Sequence, residues 1–278
     1  MSDAQKSSIL VTCMKGRVLM GYRRYFFLLL ITTCVILLAG CRTKEPEKDF
    51  FANEPPMEEL KPKKPTESYV VIDKNYTEHG ISITYPQVTG LPDDDLEHKI
   101  NSLLENDALE GALRFYPDKT DLTMEVDYAI VWQGSRILSI KFEGYAYVEG
   151  AAHPNNLFYT SNIDVPNGKK IYLDEVAKID ENLLAKLRPN YVGSISEEQL
   201  PEVLDIILDR NALSLLEQAD YAQTTTDSAY SYFTKDALGI SLPAPYVLGS
   251  HVEFELPYRE ISDNLKPEVH IWSDFDIR

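Results

Sequence analysis

The sequence predicts an α+β fold in two lobes: an antiparallel meander sheet with a packed helix, then a helical segment and further antiparallel strands. Three observations carry that prediction. Apolar residues alternate with polar ones through 122–148, leucines recur at helical spacing between 183 and 216, and short alternating stretches return from Tyr230 onward. Strands, helix, strands, helices and strands again fit an α+β architecture better than a repeating βα one.

Folded sequence begins near Tyr69. "SYVVID" and "GISITYP" (Gly80 to Pro86) read as short strands. "LPDDDLEHKINSLLENDAL" then reads as a helix. Asp93, Asp94 and Asp95 suit its N-terminus through capping and the helix dipole, and Leu96, Ile100, Leu103 and Leu104 form one apolar stripe.

In "LTMEVDYAIVWQ", Met124, Val126, Tyr128, Ile130 and Trp132 alternate inward against Glu125 and Asp127. After Gly134-Ser135 the pattern resumes with Leu138, Ile140, Phe142, Gly144, Ala146 and Val148 on one face. Lys141, Glu143, Tyr145, Tyr147 and Glu149 occupy the other, which is the pattern of a half-buried antiparallel hairpin. A third strand spans about Asn156 to Val165, and Pro166-Asn167-Gly168-Lys169 turns the chain into a strand at Ile171-Tyr172-Leu173.

"IDENLLAKL" and "SEEQLPEVLDIILDRNALSLLEQA" read as helices. Ser196 with Gln199 has capping-box spacing at the start of the second. "YSYFTK", "GISLP" and "SHVEFELP" are strands, and "EVHIWSDF" is placed as a closing sheet edge. The expected domains are thus 69–165 and 166–278.

The chain of 278 residues has 44 Asp plus Glu against 27 Lys plus Arg, a net charge of −17. Such acidity repels phosphate backbones, so no nucleic-acid partner is expected, and it favours a basic partner or simply solubility. Cys13, Cys34 and Cys41 all precede the folded part, which therefore holds no disulfide framework or thiolate metal site.

"MGYRRYFFLLLITTCVILLAGC" carries Arg23 and Arg24 before an apolar run from Tyr25 to Gly40. That run is shorter than the roughly 20 residues a spanning helix needs. It reads as an export signal over 1–40. Its end, Leu38-Ala39-Gly40-Cys41, resembles a bacterial lipobox, which implies lipidation at Cys41 and anchoring to the membrane from the extracytoplasmic side. An uncleaved signal anchor is the alternative. The proline-rich, charge-mixed stretch 42–68 reads as a tether that, extended at about 3 Å per residue, reaches roughly 80 Å.

Three stretches resemble a known family: "ISITYPQVTGLPDDDLEHKINSLL", "YAYVEGAAHPNNLFYTSNIDVPNGKKIYLDEV" and "YSYFTKDALGISLPAPYVLGSHVEFELPYREI". Over about 69–262 they are similar to the paired domain-of-unknown-function 4163/3298 type of bacterial envelope protein. That pair forms the outer part of RsiV-type anti-sigma factors, which sense lysozyme, and a related first half precedes some peptidoglycan deacetylase domains. The resemblance implies an exported, membrane-held, non-enzymatic α+β module. Lysozyme recognition belongs to one branch and is not carried over by these motifs. About 24 residues precede the apolar run, short for a cytosolic sigma-binding region, so anti-sigma activity is not expected.

His153 is the histidine placed most deliberately, in "GAAHPNN". A zinc site would need further donors at ligand spacing, and His79, His98, His251 and His270 form no such motif. No cofactor or metal is expected. General-base catalysis would need a nucleophile and an orienting carboxylate. Ser161 and Asp164 are near in sequence, but no nucleophile elbow accompanies them. His153, Pro154 and Asn155 therefore read first as a structural turn, with recognition as a second role.

Tyr145 and Tyr147, on the polar face of their strand, are candidates for stacking on a sugar ring or a partner, or for cross-strand packing. The expected function is a non-catalytic binding or sensing module with a basic protein or peptidoglycan as ligand. The alternative is a cell-wall hydrolase or deacetylase using His153.

Overall fold

In the computed structural model of the chain, residues 69–209, 211–221 and 228–277 are described. The leader 1–40, Cys41 and the tether 42–68 lie outside them. Among the described residues no helix is long and apolar enough to cross a membrane. The architecture is mixed α+β, with a six-stranded and a four-stranded sheet.

The first sheet runs in sequence order through β1 (Val70–Glu78), β2 (Ile81–Thr89), β3 (Leu122–Gln133), β4 (Ile137–Val148), β5 (Asn155–Asp164) and β6 (Lys169–Lys170). β1 and β2 are joined by a tight turn at His79 and Gly80, both at positive φ (38° and 88°), the conformation that a two-residue hairpin demands. Its neighbours pair antiparallel except β2 with β3, which run parallel through Ile81–Met124 and Ile83–Val126. That parallel pair requires a crossover, supplied by helix α1 (Asp94–Leu113).

α1 begins where the aspartate run ends. The Asp93 carboxylate accepts from the Asp95 and Leu96 amides, and Asp94, Asp95 and Glu97 complement the dipole in the first turn. Ile100, Leu104, Ala108 and Ala112 are buried along one stripe. They pack on Ile83, Met124, Val126 and Phe142 of the sheet, forming the first core. Each large aliphatic side chain so buried contributes about 1.5–3 kcal/mol.

The second sheet has the order β7 (Tyr191–Val192), β10 (His251–Pro257), β9 (Ala237–Pro243) and β8 (Tyr230–Phe233), all antiparallel. Leu238, Ile240, Leu242, Val252, Phe254 and Leu256 point to a second core. That core is filled by α2 (Leu173–Val176), α3 (Glu181–Leu187), α4 (Leu200–Ile207) and α5 (Ala212–Glu217).

Five details differ from the sequence reading. The alternation of β3 does not reach Trp132 unbroken: the register shifts between Ile130 and Trp132, which leaves Ile130 exposed. Leu173 is not strand but the first residue of α2, since Asp174 and Glu175 favour a helix start and Tyr172 N–H donates to the Glu175 carboxylate. The leucine-rich helix is two helices, broken at Asp209–Asn211, where the Asp209 carboxylate accepts from the Asn211 amide. Ser196 opens a turn rather than capping the helix, which starts at Leu200 with Pro201 in its first turn. "EVHIWSDF" is a 3₁₀ turn (His270–Asp274), not a strand. Ile271 and Trp272 are buried, and the Asp274 carboxylate accepts from Ser135 Oγ and the Arg136 and Ile137 amides.

The sheets meet through polar groups. β8 would expose the free amides and carbonyls of an edge strand, but β4 and β5 satisfy them with side chains. Ser139 Oγ accepts from Phe233 N–H at 2.9 Å, and Asn162 Nδ2 donates to the Ser231 carbonyl at 2.8 Å. The Asp220 carboxylate takes the Ser231 amide and hydroxyl, the Leu173 amide and Thr160 Oγ1.

Candidate functional site

Strand alternation decides which side chains can converge. Ile240 and Leu242 of β9 and Val252 and Phe254 of β10 turn toward the helices, so Ser241, His251 and Glu253 turn toward the first sheet. Tyr230 of β8, opposite Ser241 in register, faces the same way, as does Tyr232, whose ring lies where a Gly239 side chain would otherwise be. From the first sheet, Asn156 and Phe158 of β5 come forward to meet them. The end of α1 and the residues after it, Gly111, Phe115 and Tyr116, close one side. The result is a cleft of about 300 Å³.

Its walls are largely rings. Phe158 lies 4.2 Å from the His251 ring, centroid to centroid, and 6.1 Å from Tyr230. Its polar groups are hydroxyls, amides and the His251 imidazole, and none of the lining side chains is Asp, Glu, Lys or Arg. Two are unsatisfied: Ser241 Oγ, on a residue 1% exposed, and His251 Nδ1 are buried without a hydrogen-bond partner. A buried donor or acceptor left unpaired costs about 1–3 kcal/mol, so such groups call for an explanation.

Behind the cleft the charges are paired. Lys141 Nζ lies 2.9 Å from the Glu253 carboxylate and 4.7 Å from the Tyr232 ring centre, joining the two sheets. His251 Nε2 lies 3.8 Å from the other Glu253 oxygen. Burial pushes the Glu253 carboxyl up, but the neighbouring His251 ring and the bond from Lys141 outweigh it and hold the group at about 2. Burial, with Glu253 nearby, keeps the Tyr232 phenol protonated far above its ordinary range.

His153 is exposed outside this cleft. Its Nδ1 lies 3.1 Å from the Pro154 carbonyl, and its ring stacks on Tyr246 at 3.8 Å. Tyr246 belongs to the 3₁₀ turn Tyr246–Leu248 between β9 and β10, so the bend after β4 touches a loop of the other lobe. Asn156 Nδ2 reinforces that contact by donating to the Gly249 carbonyl, and Asn155 Nδ2 donates to Tyr116 OH. Asn155 and Asn156 thus line the cleft, while Pro154 is half-buried beside it. Tyr145 is exposed on the outer sheet face, its hydroxyl 3.4 Å from Glu125. Tyr147 lines a separate open groove with Glu78, Lys119 and Glu149.

Sequence reasoning missed Phe158, Tyr230, Ser241 and His251. The available signal was weak: Ser241 interrupts the apolar run of "GISLP" at a position facing away from the helices. Asp164, 1% exposed, bonds His270 Nε2 at 3.1 Å and both the amide and side chain of Asn167. It ties the turn before β6 to the C-terminal segment. Among the described residues no group of three or more His, Cys, Asp or Glu is placed to hold a metal ion.

Residues 70–156 match the family model described as Deacetylase PdaC. That stretch runs from the start of β1 to the start of β5, so the match covers most of the first lobe and reaches the rim of the cleft. Two solved structures are similar. One, a member of the DUF3298 family from Bacteroides fragilis NCTC 9343, has a TM-score of 0.48 and 16% identity, covering 76% of this chain and 98% of that one. The other, a DUF3298 family protein from Pseudomonas aeruginosa PAO1, has a TM-score of 0.40 and 17% identity, covering 72% of this chain and 93% of that one. No curated protein matches.

Proposed function

We propose that this chain is an exported lipoprotein, held to the membrane through Cys41 and the 42–68 tether, whose folded part is a non-catalytic binding or sensing module at the cell envelope. The observation that carries the binding role is the cleft. Ring faces, amides, a hydroxyl and an imidazole converge there, and two of the polar groups have no internal partner. A basic protein such as lysozyme is one ligand class, for which the net charge of −17 is of the right sign.

A hydrolase reading would pair Ser241 with His251 and Glu253, or use His153. A nucleophile and its base need a hydrogen bond of about 2.6–3.2 Å. Ser241 Oγ and His251 Nδ1 share the cleft without bonding to each other, and the exposed His153 stacks on a tyrosine. Groups so arranged are poised to bond a ligand rather than to activate one another.

The test is retention of ligands by the full chain inserted in lipid vesicles. The vesicles are incubated with lysozyme at low and high salt, and separately with isolated peptidoglycan. Retention of either without turnover supports the reading; retention of neither, or hydrolysis of the peptidoglycan, removes it.

A further inference from the structure

We infer that the cleft between the sheets takes one uncharged sugar residue of a glycan, its ring lying against Phe158 and its hydroxyl or amide groups bonding Ser241 Oγ, His251 Nδ1 and the Asn156 side chain. The inference rests on the binding-module reading and adds the ligand chemistry.

Three observations select this class. No Asp, Glu, Lys or Arg lines the cleft, and the nearest cations are already engaged, Lys141 by the Glu253 carboxylate and Arg114 by the Tyr230 hydroxyl, so a carboxylate or phosphate would have to compete for its counter-charge and an ammonium would find none open to it. The polar groups are amphoteric: a serine hydroxyl and a primary amide each donate and accept, and an imidazole nitrogen does either according to tautomer. Sugar hydroxyls and an N-acetyl group are amphoteric too, whereas a carboxylate only accepts and an ammonium only donates. The apolar surface is aromatic, and a pyranose presents axial C–H bonds that pack on a ring face while its equatorial hydroxyls reach sideways.

Size and access agree. A cleft of about 300 Å³ is at the small end of ligand sites and holds one ring, not an extended chain. The neighbouring residues of a glycan would pass over the rim, where Tyr246 is stacked on His153 and Val247 is 86% exposed. The two unpaired buried atoms are then explained by what they await. A bound hydroxyl at each would supply the hydrogen bond that the protein's own groups do not.

The test uses the full chain in detergent, titrated with N-acetylglucosamine trimer and followed by calorimetry at low and high salt. The expected result is a Kd of about 1 mM or tighter, unchanged by salt because the ligand is neutral. Ser241→Ala should weaken binding about 3–10-fold, as should Asn156→Ala, each with the melting temperature close to that of the parent. A trimer that fails to bind a chain with an intact melting transition overturns the sugar inference. Binding that neither substitution weakens places the sugar elsewhere and overturns it equally. No binding of the trimer together with salt-sensitive retention of lysozyme would overturn it while leaving the binding module standing. Release of acetate or of free sugar by the parent, lost in Ser241→Ala, would overturn both.

Discussion

The outermost long strands on the two sides of the first sheet, β1 and β5, have the same backbone chemistry and opposite fates. At one edge β1 lies largely in water: Val70 is 58% exposed and Ile72 41%, and Asp73, Lys74 and Asn75 are exposed in sequence. Charges on an exposed edge discourage a second chain from pairing there. At the other side β5, which pairs with the two-residue edge strand β6 only at Ile163 and Asp164, is buried from Phe158 to Asp164 on both faces, one against α1 and the other against the second sheet. Beyond Phe158, what this face of β5 buries is polar, Thr160 and Asn162, with Ser139 of β4 beside them. Burial is therefore set by which element arrives, not by how apolar the strand is, and the cleft lies where the arriving sheet leaves a gap.

Removing a core ring of the first sheet should have the largest effect on that contrast. Phe142 is fully buried and stacked on Tyr159 at 4.8 Å. Phe142→Ala should cost about 3–5 kcal/mol by urea denaturation. A cost below 1 kcal/mol would mean that the sheet does not depend on its apolar face.

Elements with strong local signals were readable from the sequence. The alternation in 122–130 and 137–148 specifies β3 and β4 because one face of each packs on a helix. Three aspartates before a leucine stripe specify α1. What could not be read depended on distant residues. Thr160, Ser161 and Asn162 would ordinarily be assigned to solvent, and nothing near them in sequence announces the edge of β8. Leu173 and the 270–274 turn were misassigned because short apolar stretches fit a strand or a single helical turn equally. The cleft draws on α1, β5, β8, β9 and β10, so no single motif contains it. The bend at His153 was legible as a bend, but its stacking on Tyr246 was not.

Two carboxyls at the junction, Asp220 buried and Glu253 partly buried, sharpen the comparison through pH. Burial raises Asp220 to about 6, against the bonds from Ser231 and the nearby Lys170 that lower it. Between about pH 4 and 6 the folded state then binds the additional proton, so Asp220 makes stability fall as pH rises. Glu253, held at about 2, has the opposite sign: its contribution is present above about pH 4.5 and is lost as pH falls toward 2. Each is worth on the order of 3 kcal/mol across its full window. Denaturation midpoints should therefore climb from pH 2 to about 4.5 and decline toward 6. Asp220→Asn should flatten the declining limb, and a limb that survives the substitution would assign it to another group.

The smallest effects come from a matched pair of asparagines, one on β5 and one on β1. Asn162 accepts from Ser139 Oγ at 2.7 Å and donates to the Ser231 carbonyl, all three residues being fully buried. Truncating it strands a hydroxyl and a carbonyl away from water, so Asn162→Ala should cost about 2–3 kcal/mol. Asn75 on β1 is exposed, and the bond it accepts from Ser82 Oγ is long at 3.4 Å. Water replaces that bond at once, so Asn75→Ala should change stability by less than about 0.5 kcal/mol. The residue type, the sheet and the substitution are the same, and only the covering by β8 differs. Equal costs at the two positions, measured by urea denaturation at one pH, would show that β8 does not depend on these side chains for its edge bonds. The polar junction would then be an incidental contact rather than what holds the second sheet beside the first.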